Sequence, residues 1–396
     1  MSDKASNQIL REIAATIDIP DSAYEKANRR YKDLGEWFKR PESRAYPFDP
    51  HISPQGSFRL GTVHRSDEYD LDFGCRLLRG ITKATHTQRQ LKELIGADLE
   101  DYRRARKIEN KLEEKPRCWR LPYADELTFH MDSVPSIPQD IGQRQLLREA
   151  MVKAGTADLL AEQVARFAGA ITDTRSSNYE IISPTWRISN SEGYALWFES
   201  RMKLAMSLLE NAALQAKAAR VEDLPAWKWK SPLQLCVQIL KRHRDEMFAD
   251  DPDGKPISVI ITTLAAQAYQ GEQNLVSAME RILNDMGNYV RDKKPRVPNP
   301  VNPAEDFADK WGIADYQHLN LEGNFWTWLQ QAQADFKIVT QSRDADFIAE
   351  QVRAKFGMRV DPSSLRSAVG LGAVHAVTSP KSHAIVQPPA RPWRSF

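Results

Sequence analysis

The chain has 396 residues, with 55 Lys and Arg against 53 Asp and Glu, 41% hydrophobic and 27% charged. That length predicts two domains or one large two-lobed one, each able to bury its own core. No apolar run approaches the roughly 18–20 residues needed to cross a bilayer, and the start MSDKASNQIL lacks the apolar centre of a signal peptide, so the expectation is a soluble cytosolic protein without a membrane partner. A net charge of +2 does not favour a polyanion-binding surface, so local groups must handle any phosphate. Cys75, Cys118 and Cys236 are widely scattered, which supports neither a disulfide framework nor a zinc knuckle and predicts small core residues.

Helical periodicity runs through 6–40. Ile9, Leu10, Ile13 and Ile17 form one stripe, and after the break at Pro20-Asp21-Ser22 a second comprises Ala27, Tyr31, Leu34, Trp37 and Phe38. A Pro-rich loop over 40–54 feeds a strand, followed by the glycine turn and short helix Gln55-Gly56-Ser57-Phe58-Arg59-Leu60-Gly61-Thr62 and a strand over 69–78. A helix is expected over 88–99, a charged solvated stretch over 103–115, and a hairpin from 118–123 and 127–134. Beyond about 191 the pattern is helical: 193–220, 231–245 with Ser231-Pro232 as its start signal, 258–269, 274–291, 325–340 and 344–356. The proline-bearing stretch 293–303 reads as a connection draped over the surface, and 357–396 as a mobile tail.

The chemistry concentrates in Gly56-Ser57, Asp70-Leu71-Asp72 and a later strand acid, Asp132. Alternation along a strand puts Asp70 and Asp72 on one side, with Leu71 and Phe73 in the core. Two carboxylates so close raise each other's pKa unless a cation lies between them. Mg²⁺ takes carboxylate and phosphate oxygens, and two such ions about 3.5–4 Å apart can clamp the attacking and leaving oxygens of a phosphoryl transfer. Gly56 lets the backbone approach a triphosphate, to which the Ser57 amide and hydroxyl can donate. A solvated strand face is the plainer alternative, but it would leave Asp67, Glu68, Asp70 and Asp72 as uncompensated like charges.

The pattern of Gly-Ser, Asp-x-Asp and a distant strand Asp resembles the DNA polymerase β-like nucleotidyltransferases. The texts QGSFRLGT, YDLDFGC, HMDSVPSIP and LQLCVQILKRHRD resemble the bacterial enzymes related to cyclic GMP-AMP synthase and oligoadenylate synthase, over about 55–356. The resemblance implies an α+β fold, with a nucleotidyltransferase lobe over 1–191, a helical nucleotide-binding lobe over 192–356 and a flexible tail over 357–396. It also implies Asp70, Asp72 and Asp132 as a catalytic triad holding two Mg²⁺ ions, with Mn²⁺ as a possible substitute, and Asp132 assisting deprotonation of a ribose hydroxyl. Lys241 matches the family's phosphate-binding lysine, and Ser258 its hydroxyl residue at a helix start, where free amides attract phosphate.

Other residues carry weaker signals. Trp186, Asn190, Tyr194 and Trp197 fall where the lobes should meet and could contact a base or simply fill core. Arg103, Arg104, Arg106 and Lys107 alternate with acids as on a solvated face, and His130 is expected to be structural. By resemblance, the reaction joins nucleoside triphosphates, ATP among them, into a cyclic di- or trinucleotide with release of pyrophosphate. Its product would be a second messenger in antiphage defence, sensed by a separate effector, with no long nucleic acid required. A tail ending Arg394-Ser395-Phe396 would suit a conjugating enzyme. A linear polymerase, a single-nucleotide transferase and a catalytically silent binding protein are the alternatives.

Overall fold

Several helices start on side-chain capping residues. In the computed structural model, Thr87 and Gln90 form a reciprocal box ahead of the helix Gln88–Ala105, and Ser231 and Gln234 form another ahead of Pro232–Met247, with Pro232 at the first helical position. Asn274 and Asp344 cap Leu275–Asp285 and Ala345–Phe356 through their side chains. The structure describes residues 3–66, 68–123, 128–202, 222–225 and 230–368. Outside the described residues lie the hairpin turn 124–127, most of the helix expected over 193–220, and the tail 369–396 with Phe396.

Among the described residues, seven strands make one mixed sheet: β1 (Pro50–Pro54), β2 (Glu68–Leu77), β3 (Glu113–Glu114), β4 (Trp119–Tyr123), β5 (Thr128–Pro138), β6 (Gly169–Ile171) and β7 (Arg187–Ser189). They run in the order β1-β2-β5-β4-β3, with β6 joining the far end of β5 and β7 joining β6. Among the described residues only β2 and β5 pair in parallel; the hairpin expected from 118–123 and 127–134 is the antiparallel β4–β5 pair. Leu71 and Phe73 are fully buried, as alternation along β2 requires. The expected α+β class is therefore realised, with helices dominating the second half.

Two hydrophobic cores form, and they do not divide the sequence at residue 191. Ile52, Leu71, Phe73, Leu91, Met131 and the second helix (Asp21–Phe38, through Tyr31 and Phe38) build the sheet-bearing core. Ile9, Leu10, Ile13 and Ile17 of the first helix (Asp3–Ile17) pack instead with Val237, Leu240, Leu264 and Trp328 in the helical core. So do Leu147, Met151 and Val164 from the helices Ile141–Lys153 and Asp158–Ala165. Each apolar stripe goes to the nearest complementary face, whatever its position in the chain.

Two further expectations change. The stretch expected to drape over the surface forms a short antiparallel ribbon, Pro298–Asn299 with Asn302–Asp306, anchored by the buried Val297 and Val301. The start of the expected tail is also packed: Leu365 on the helix Pro362–Ala368 is fully buried, and Arg366 reaches Asp346 at 2.9 Å.

Candidate active site

The turn after β1 is held against β2 by its backbone, because Gln55 N–H donates to the Asp72 carbonyl at 2.7 Å. Gly56 follows at φ +61°, and a Cβ there would lie 2.1 Å from Asp72 Oδ2. Only glycine meets both demands. The helix Gly56–Leu60 then places Ser57 in its first turn, where backbone amides lack helical partners, and Gly61 closes it at φ +68°.

Asp70 and Asp72 leave β2 on one side, and the parallel register sets Asp72 directly opposite Asp132 and Asp70 opposite His130. The three aspartates thus come together as the spacing predicts, but they have company. Arg120, opposite Asp132 on β4, donates from Nε and Nη2 to the two Asp132 oxygens at 2.8 Å each and lies 3.5 Å from Asp70. His130, expected to be structural, stands 3.5 Å from Asp70 and 3.0 Å from Glu68. Cys118 is half-buried rather than core, with its thiol 3.7 Å from Asp132. Burial, with Asp132 and Asp70 nearby, pushes the Asp72 carboxyl up to about 7.

Lys241 and Ser258 approach from the helical side. The buried Lys241 donates to the Thr62 carbonyl at 2.9 Å, and burial beside Arg244 lowers its pKa to about 7. Ser258 opens the helix Ser258–Ala268, but Ile257, not Ser258, occupies the cap position. The Ser258 hydroxyl is therefore not spent on capping and accepts from Arg244 at 3.1 Å. Gly56, Ser57, Asp70, Asp72, Lys241 and Ser258 all line one cavity of about 380 Å³. A second opening, about 460 Å³, shares Ser57, Asp70, Lys241 and Ser258 with the first and adds Arg244 and Lys255.

These shifts run in complementary directions. A divalent cation among the aspartates would lower the Asp72 pKa, and a polyphosphate near Lys241 would raise the lysine's. The donor set, hard carboxylate oxygens beside a glycine that keeps Asp72 uncrowded, fits such an ion.

The first cavity is also lined by Asn190, Tyr194, Asn299, Glu305 and Phe307. Asn190 caps the helix Ser191–Arg201 by accepting from Gly193 N–H at 3.0 Å, and the Tyr194 hydroxyl lies 2.8 Å from Thr263 Oγ1. Trp186 and Trp197, grouped with them in the sequence, are core residues in opposite cores. Asn299 lies in the stretch 293–303 that reads as a connection, Glu305 and Phe307 carry no sequence signal of their own, and only strand register brings Arg120 to Asp132. Arg103 and Arg104 pair with Glu100, and Arg106 with Asp33, as on a solvated face.

A separate cluster, His51, Glu192 and Glu222, brings its ligand atoms within 4.8 Å of one another. Glu192 also accepts an ion pair from Arg76 at 2.7 Å, and the two carboxylates raise His51 to about 9 despite burial. Two cations thus balance two anions, and the cluster braces β1 and β2 against the helix Ser191–Arg201.

Residues 50–135 match the family model described as Cyclic GMP-AMP synthase DncV-like, nucleotidyltransferase domain. The chain is 27% identical over 337 residues to a c-di-GMP synthase of Roseivirga ehrenbergii, covering 82% of this chain and 79% of that protein. It is 27% identical over 382 residues to the cyclic dinucleotide synthase CdnG of Bradyrhizobium diazoefficiens, covering 91% and 82%. The structure of that CD-NTase in complex with GTP superposes with a TM-score of 0.61 at 23% identity, covering 92% of this chain and 98% of that one. The fold is thus that of the polymerase β-like CD-NTases, and among the described residues no helix is long and apolar enough to cross a membrane. Residues 50–135 thus carry a DncV-like nucleotidyltransferase domain, and the chain, similar over most of its length to cyclic dinucleotide synthases, is an enzyme.

Proposed function

We propose that the chain joins nucleoside triphosphates through phosphodiester bonds and closes them into a cyclic di- or trinucleotide, releasing one pyrophosphate per bond. The observation that carries this reading is a single cavity lined by Gly56, Ser57, Asp70, Asp72, Lys241 and Ser258 from both halves of the chain. Asp70, Asp72 and Asp132 would hold two Mg²⁺ ions, with Mn²⁺ as a substitute, which stabilise charge on the attacking and leaving oxygens. Asp132, whose orientation Arg120 fixes, takes the proton of the attacking ribose hydroxyl. The hydroxyl oxygen bonds to the α-phosphorus as the bond to the β-phosphate breaks. Lys241, Ser258 and the free amides beside Ser57 bind the triphosphate and then the departing pyrophosphate.

The relatives' names favour a cyclic dinucleotide containing guanine, while the sequence resemblance includes ATP among the substrates. The test is incubation with each labelled NTP and Mg²⁺ or Mn²⁺, phosphatase treatment, and mass spectrometry. Phosphatase-resistant cyclic products that vanish in Asp70→Ala/Asp72→Ala support the reading; linear or protein-linked products only would replace it with a polymerase or a single-nucleotide transferase. In the cell the product is placed in antiphage signalling, acting on a separate effector. Loss of phage resistance in the same double variant tests that role. The tail end at Phe396 is proposed as the recognition point for a conjugating enzyme, and removing the last residues without effect on partner-dependent conjugates would end that idea.

A further inference from the structure

We propose that Glu305 selects guanine beside Tyr194 and Phe307 in the catalytic cavity, its carboxylate accepting from the N1–H and the exocyclic amino group of the base. The inference rests on the nucleotidyltransferase reading above and adds a specificity residue to it.

Glu305 lies on the ribbon Asn302–Asp306 and lines the same cavity as Asp70 and Asp72. Phe307, two residues on, also lines it and lies edge-to-face against Tyr194 with centroids 6.1 Å apart, so the cavity offers flat apolar surface for a base. The carboxylate is held on both sides. Arg187 Nη2 donates to Oε1 at 2.8 Å and Asn299 Nδ2 donates to Oε2 at 2.8 Å. Asn299 is itself fixed, because its Oδ1 accepts from Val301 N–H at 3.0 Å.

Each carboxylate oxygen can accept more than one hydrogen bond, so Arg187 and Asn299 leave acceptor capacity on both. Two adjacent, oriented acceptors match the adjacent N1–H and N2–H donors of guanine. Adenine offers an acceptor at N1, which would face those oxygens unpaired. A site built to hydrogen-bond a substrate group rejects the analogue lacking it far better than an apolar pocket rejects a wrong shape. Glu305 is a lining residue of the cavity, and its side chain keeps 21% of its surface exposed despite the bonds to Arg187 and Asn299.

The experiment measures binding of GTP, ITP and ATP to the full chain, with Ca²⁺ replacing Mg²⁺ to hold turnover down, for the native protein, Glu305→Gln and Glu305→Asp. The native protein should prefer GTP to ATP by about tenfold or more, with ITP, which lacks the amino group, in between. Glu305→Gln places a donor where an acceptor is needed, and should weaken GTP by about tenfold to a hundredfold and bring the GTP to ATP ratio close to one. Glu305→Asp keeps the charge but draws it back from the base, so it must lose selectivity too, and it serves as the readout if the glutamine variant does not fold. A native protein without preference for GTP, or variants that weaken GTP and ATP alike, would overturn the proposal and leave the functional reading standing. A native protein that binds no nucleotide overturns both.

Discussion

Arg120 grips Asp132 with two donors, Nε and Nη2, each 2.8 Å from a different carboxylate oxygen, across the antiparallel register of β4 and β5. Its Nη2 is also 3.5 Å from Asp70, so one guanidinium serves as counter-charge for two of the three aspartates. Arg120→Gln leaves Asp132 with a weaker, neutral partner. In EDTA the variant should lose about 1–3 kcal/mol of stability, because it removes one partner of a partly buried charged pair. Saturating Mg²⁺ should restore part of that loss. The check is thermal unfolding with and without Mg²⁺, and an equal loss in both would refute the counter-charge role.

Asp72 makes the metal-free protein sensitive to pH. Its carboxyl stands at about 7 against an ordinary 3.8, so between those values the folded state binds the extra proton. A raised folded pKa contributes stability that is complete below about 4 and lost as pH rises towards 7. Asp72→Asn removes this dependence. In EDTA its Tm should exceed that of the native protein by a margin that widens from pH 4 to 7, whatever the other carboxylates do in common. Mg²⁺ should shrink the margin, and a margin that stays flat with pH would contradict the assignment.

Gly56→Ala tests the close approach of backbone and carboxylate. The added methyl would meet Asp72 Oδ2 at 2.1 Å, and alanine must also hold φ near +61°. The backbone strain alone costs about 1–3 kcal/mol. On the proposed reading, displacing the Asp72 carboxylate by about 1 Å should lower turnover by roughly a hundredfold or more. Denaturant unfolding and initial rates separate the two effects, and a variant with full activity would show that Asp72 tolerates the shift.

Lys241 and Ser258 should differ in weight. Lys241→Ala removes a buried cation facing the aspartates and should raise the KM for nucleoside triphosphate by about tenfold or more. Ser258→Ala removes a neutral hydroxyl and should raise it by roughly twofold to tenfold. Steady-state kinetics over a range of nucleotide concentrations reads both, and an unchanged KM in Lys241→Ala would remove that residue from the triphosphate site.

Much of the site was legible in the sequence because its chemistry is local. Gly56-Ser57 sits on one turn, and Asp70, Leu71, Asp72 and Phe73 alternate on one strand, so their faces follow from a period of two. What stayed hidden depends on register or tertiary packing. Arg120 is one of several charges near β3 and β4 until pairing sets it opposite Asp132. Asn299 lies in a segment whose prolines read as surface, whereas Val297 and Val301 pull it inward, and Glu305 follows just beyond on the paired strand. The first helix is plain as a helix from Ile9, Leu10, Ile13 and Ile17, but amphipathicity names no partner, and its partner lies more than two hundred residues away.

That first helix has a mechanical consequence. It packs in the helical core, and the next packs in the sheet-bearing core. The chain crosses the divide at Asp18, whose carboxylate accepts from Gln238 at 3.0 Å and from Lys230, while its backbone bridges to His64. It crosses again when the helices Ile141–Lys153 and Asp158–Ala165 return to the helical core between β5 and β6. The two halves are laced together rather than strung in series, so no single cut releases either one intact. An opening of the cleft would therefore bend the chain at several crossings at once rather than at one linker.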